Sequence, residues 1–112
     1  MRRVKTRERA VFKALSNDVR RRLLELLARG ERSVSELAGE VETSPSLTSI
    51  HLGGLRRAGL VEARVRAKQR IYRLRREGLA SARAFLLHLE SGLEAHAVKE
   101  RLATPRPFEL AR

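Results

Sequence analysis

The chain has 112 residues, with 25 Lys and Arg against 13 Asp and Glu, a net charge of +12 and no cysteine. A chain this short builds a modest core, for which a subunit partner is a common remedy, and the missing thiols exclude disulfides, cysteine nucleophiles and thiolate metal centres together. Apolar residues at 42% and charged residues at 34% describe a globular, highly charged chain; its apolar runs are short and its basic start lacks a signal-peptide core, so a cytoplasmic protein with no membrane partner is expected.

Residues 6–15 set Ala10, Val11, Ala14 and Leu15 at the spacing of a helix with one buried stripe. Ser16, Asn17 and Asp18 then offer oxygens to cap a second helix, which carries Val19, Leu23, Leu24, Leu26 and Leu27 and ends near Gly30. Ser33 opens a third helix with Glu36 at the capping-box spacing and Val34, Leu37, Ala38 and Val41 facing inward. After a turn at Glu42-Thr43, Ser44 caps a fourth helix and Pro45 takes its first position, where the missing N–H has no partner to lose. Leu47, Leu52 and Leu55 are its expected apolar contacts and Gly59 its stop. Gly53-Gly54 within it are unfavourable by about 1 kcal/mol each against alanine, which close packing or a close phosphate would justify.

Residues 60–66 and 70–74 are rich in β-branched and aromatic side chains and read as a hairpin with Ala67-Lys68-Gln69 at its tip. The tip has no glycine, so a longer or bulged connection is expected rather than a tight primed turn. From residue 79 to 102, Leu79, Ala82, Leu86, Leu89, Leu93 and His96 recur at steps of three and four, a seam that needs a partner. Thr104-Pro105-Arg106-Pro107 ends this helix, giving one domain over residues 1–104 and a tail over 105–112. The fold class is mainly α with a β-hairpin, in the order α-α-α-α-β-β-α.

Residues 56–76 hold nine basic side chains against a single acid, Glu62. Charge concentrated in this way suits a polyanion met on one face. Beside it lies the fourth helix, whose first half offers Pro45, Ser46, Ser49 and Ile50, short side chains that let a helix backbone come close to base edges in a DNA major groove. His51 joins them as a DNA or helix-packing residue. Arg56 and Arg57 at the far end reach phosphate or offset the helix dipole. Arg64, Arg66, Lys68 and Arg70 in the hairpin meet phosphates or a narrow minor groove; the plainer reading is a solvated edge charged against strand pairing.

With the elements in this order, the residues resemble the ArsR family of bacterial winged helix-turn-helix repressors. FKALSNDVRRRLLELL is similar to the family's opening block through Leu15, Arg20, Leu23, Leu24 and Leu27, and VSELAGEV to its helix before the turn. SPSLTSIHLGGLRRAGLV resembles its recognition helix at Ser46, Ser49, His51, Leu52, Leu55, Ala58, Gly59, Leu60 and Val61, with Tyr72 and Leu74 in the return strand. The resemblance implies a homodimeric repressor on a pseudo-palindromic operator in double-stranded DNA, joined through its N- and C-terminal helices. Val11, Leu79, Ala82, Leu86, Leu89, Leu93 and His96 are then the expected interface.

The chain departs from the family where metal-sensing members carry Cys-Val-Cys: here stands Ser33-Val34-Ser35, and hydroxyls do not replace thiolates for soft or borderline metals. Ile50 stands where many members have Arg or Lys, and Pro45 where Gln is frequent. No metal site and no cofactor are therefore expected. Three other readings stay open: a Zn- or Ni-responsive repressor using His88 and His96, a sequence-tolerant packaging protein, and a protein-interaction domain. No nucleophile elbow, phosphate loop or paired carboxylates mark an enzyme.

Overall fold

The computed structural model describes residues 2–102, with side chains from Thr6 onward; the tail expected at 105–112 lies outside the described residues. Two compact units divide the chain, one running to Ala82 and one from Arg83 on.

The first unit begins with α1 (Arg2–Leu15) and α2 (Asp18–Ala28). The last carbonyls of a helix have no partner within it, and here α2 supplies them: Arg20 donates to the Ala14 carbonyl at 2.8 Å and the Lys13 carbonyl at 3.0 Å, and Arg21 to the Leu15 carbonyl at 2.6 Å. Asn17 caps α2 by accepting the Arg20 N–H at 3.0 Å. A two-residue strand, β1 (Arg32–Ser33), follows and was absent from the hairpin expected of the sequence. Two residues give no periodicity to read. Ser33 and Glu36 form the expected capping box of α3 (Val34–Glu40), and Glu42 makes the next turn at φ 55°.

Ser44 caps α4 (Pro45–Arg57) by accepting the Leu47 N–H at 3.0 Å. Its end is a Schellman motif, with Gly59 at φ 78° donating to the Arg56 carbonyl at 2.9 Å and Leu60 to the Leu55 carbonyl at 3.0 Å. Leu55 and Leu60, the apolar pair that accompanies the motif, are both fully buried. Strands β2 (Val61–Arg66) and β3 (Gln69–Leu74) pair antiparallel from Val61↔Leu74 to Arg66↔Gln69, and β1 pairs on the free side of β3, giving the order β1-β3-β2.

The hairpin tip corrects the sequence expectation. Ala67 and Lys68 alone connect the strands, at φ 48° and 67°. Two left-handed residues make the tight primed turn whose twist matches paired strands, so strand pairing overrides the local cost of placing non-glycine residues there.

A single turn of 3-10 helix at Arg76–Leu79 precedes α5 (Ala80–Leu102), so Leu79 ends that turn and lies outside the long helix. The core of the first unit gathers Val11, Ala14, Leu23, Leu24, Leu26, Leu27, Leu37, Leu52, Leu55, Leu60, Val61, Tyr72 and Ala82. Val11 and Ala82, expected at a subunit interface, are 2% and 8% exposed. Packing within the protomer already covers both, because each lies on the inward stripe of its own helix. In the second unit, Leu86, Leu89 and Leu93 stand exposed along α5.

Candidate nucleic-acid interface

Burial divides α4 along its length. Thr48, Leu52 and Leu55 face the core at helical spacing. Leu47, expected among the core contacts, is 44% exposed and Thr48 takes its place. A threonine methyl fills that stripe, and a polarity pattern scores it as surface. His51 is half-buried beside the stripe; its Nδ1 and the Thr48 Oγ1 are buried without hydrogen-bond partners among the described residues. His51 therefore belongs to the packed flank of α4 and lies off the exposed crest with Ser46 and Ile50.

Pro45, Ser46, Ser49, Ile50, Arg56 and Arg57 are all exposed. The strand register decides which wing residues look toward them. Val65↔Arg70, Ala63↔Tyr72 and Val61↔Leu74 share one face of the hairpin, and buried Val61 and Tyr72 identify it as the face turned to the core. Arg70 is thus brought over α4, and an open groove is lined by Ser49, Gly53, Arg56, Arg57, Arg70 and Tyr72. Three arginines together with the small Ser49 and Gly53 in the lining of this groove suit a phosphate backbone.

Arg64 and Arg66 fall on the opposite face with Glu62, Ile71 and Arg73. There Arg64 donates to Glu31, 2.5 Å away, and Arg73 pairs with Glu62. Arg75 donates to the Gly59 carbonyl at 3.2 Å and lies 3.9 Å from Glu62. Much of the outer face is thereby neutralised by its own acids, which arrive from the α2–β1 connection and from β2. Arg56, Arg57, Arg66, Lys68 and Arg70 have no carboxylate partner among the described residues. The sequence groups all the wing cations together; the pleat separates them.

The donor set at the thiolate position of the third helix does not fit a metal. Ser33 is 3% exposed and its hydroxyl accepts the Glu36 N–H at 3.2 Å, so the side chain is engaged as a helix cap. On α5, His96 lies 3.0 Å from Glu100 across one turn. Among the described residues, no group of three or more His, Asp or Glu side chains could hold a metal ion, and no helix is long and apolar enough to cross a membrane.

The profile of the bacterial regulatory protein arsR family matches residues 17–63, from the cap of α2 into β2. The homodimeric winged helix-turn-helix DNA-binding domain Mb0332 from Mycobacterium bovis, solved in solution, superposes with a TM-score of 0.63 at 32% identity, over 93% of this chain and 89% of that one. The chain belongs to the arsR family. The chain is also similar to the HTH-type transcriptional regulator Rv0324 of Mycobacterium tuberculosis, 40% identical over 70 residues, and the transcriptional activator HlyU of Vibrio cholerae, 42% identical over 64. The matches cover 62% and 57% of this chain; it spans 31% of Rv0324 and 59% of HlyU. In ArsR-family terms the fold is a winged helix-turn-helix, with α3 and α4 as the helix-turn-helix and β2–β3 as the wing.

Proposed function

We propose that this ArsR-family chain is a sequence-specific DNA-binding transcriptional regulator that acts as a homodimer on a pseudo-palindromic operator and represses transcription there. The observation that carries the reading is the groove between α4 and the wing, where Arg56, Arg57 and Arg70 surround the small Ser49 and Gly53. Pro45, Ser46, Ser49 and Ile50 enter the major groove, and the groove cations, with Arg66 and Lys68 at the wing tip, meet phosphates.

Dimerisation rests on α5. Leu86, Leu89 and Leu93 recur three and four residues apart and are 53%, 48% and 70% exposed, a stripe suited to a symmetry mate. The M. bovis domain is itself a homodimer. Two recognition helices then meet half-sites one DNA turn apart, about 34 Å, or a multiple of it. A dimer seated there excludes other proteins from the same duplex, and repression follows from that occupancy.

Competition binding at fixed salt tests the reading. A duplex selected by the protein from a random pool is expected to bind about 10³-fold or more tighter than random duplex. Equal affinities would instead identify a sequence-tolerant packaging protein, and no duplex binding at low salt a protein-interaction domain. In a transcription assay on the selected operator, adding the protein is expected to lower transcript yield.

A further inference from the structure

The outward crest of α4 runs Ser46, Ile50, Gly53, Arg57, residues that follow one another at steps of three and four. Ile50 is its one large apolar side chain and is 67% exposed. The next turn places Gly53 and Gly54 beside it, the preceding turn Ser46 and Leu47. On its C-terminal side Ile50 is therefore flanked by two residues without side chains, toward which the Arg57 guanidinium reaches.

Among the described residues, nothing calls for those two glycines. A Cβ built on Gly53 would meet only the Arg57 guanidinium tip, at 3.4 Å, and one on Gly54 the same group at 3.9 Å. The first contact is with the far end of a flexible side chain, and both are ordinary van der Waals separations. Both residues are also helical, with φ outside the range that favours glycine. Two unfavourable glycines in a helix interior, with no packing need among the described residues, are a break of local preference of the kind expected at a functional site.

We propose that Ile50 reads the 5-methyl group of a thymine, and that Gly53 lets the helix seat deeply enough for the contact. The inference rests on the DNA-binding reading above. Within a major groove the one methyl that a base edge presents is that of thymine, where cytosine has only a C5–H, and the remaining recognition groups donate or accept hydrogen bonds. An exposed isoleucine offers no hydrogen bond and gains only by covering that methyl. Ser46 and Ser49 flank it with the small hydroxyls that neighbouring bases accept.

The test uses the full chain and the duplex it selects. Each thymine of a half-site is replaced in turn by deoxyuridine, which lacks only the methyl. At one or two positions per half-site, affinity is expected to fall about fourfold, the effect of exposing one methyl-sized apolar group. Ile50→Ala should bind thymine and deoxyuridine duplexes alike, with thermal unfolding unchanged because the side chain is exposed. Gly53→Ala should raise thermal stability yet weaken binding to the selected duplex. Uniform tolerance of deoxyuridine with operator preference intact overturns the methyl contact and leaves the regulator reading standing; loss of any preference among duplexes removes both. Sensitivity that survives in Ile50→Ala assigns the methyl to another residue, and undiminished affinity of Gly53→Ala overturns the seating role.

Discussion

Gly78 packs backbone to backbone against Gly59: a Cβ on Gly78 would stand 2.1 Å from the Gly59 carbonyl oxygen and 2.9 Å from the Leu60 Cα. The same elbow accepts the Arg75 guanidinium on the Gly59 carbonyl and the Arg75 N–H on the Leu60 carbonyl at 2.8 Å. The end of α4 is thereby held to the turn that precedes α5. Gly78→Ala must push backbone away from backbone, and is expected to destabilise the protein by about 1–3 kcal/mol, the range for overpacking a filled site. Urea unfolding reads this directly; a midpoint equal to wild type would show that the elbow opens freely.

Gly54→Ala is the opposite case. Its Cβ would have room and its backbone is helical, so the substitution should stabilise by about 1 kcal/mol through helix propensity and a less flexible unfolded chain. Thermal unfolding checks the sign.

The two faces of the wing make different predictions for DNA. Arg70→Ala should weaken binding to every duplex and lower the salt slope by about 0.9 for each phosphate that the side chain neutralises. Arg64 is already paired with Glu31 on the outer face, so Arg64→Ala should change the slope less than Arg70→Ala. Glu31→Gln should release Arg64 and tighten non-specific binding, while stability changes by no more than about 1 kcal/mol because the pair is exposed. Equal slopes for the two arginine variants would refute the division.

Acid acts on the α3 cap. The Ser33 backbone N–H donates to Glu36 at 3.0 Å, and this bond, with help from the Ser33 hydroxyl and nearby Arg32, holds the carboxyl below its ordinary value of 4.5. A group depressed in the folded state contributes stability that is complete above its unfolded value and is lost as pH falls through its folded one. Wild type should therefore exceed Glu36→Gln in stability near neutrality, and the difference should shrink as pH falls below 4.5 toward the depressed folded-state value. Denaturation curves across that window that stay parallel would show that the Glu36 charge does not stabilise the cap.

Leu86→Glu and Leu93→Glu place a carboxylate in the exposed α5 stripe. Both should leave the helix folded, shift sedimentation to the monomer and lower operator affinity together. A dimer that survives both changes places the interface elsewhere.

Most of the architecture was legible in the chain because it is written locally. Ser33 with Glu36, Ser44 with Pro45, and Gly59 after Ala58 each specify a helix boundary through neighbours within four residues. The concentration of arginine after residue 56 likewise marks the charged segment without any fold. What escaped was decided by contacts distant in sequence. The two-residue β1 exists because β3 offers Tyr72 and Ile71 as partners, and the tight tip at Ala67-Lys68 because strand pairing outweighs local backbone preference. Thr48 in the core and Leu47 on the surface follow from how α4 is rotated against its neighbours. For the interface, the sequence alone supplied the cations and the small helix residues. The tertiary structure turned Arg70 toward α4 and gave Arg64 to Glu31, because a pleated strand sends successive side chains to opposite faces and only the packed core says which face is inside.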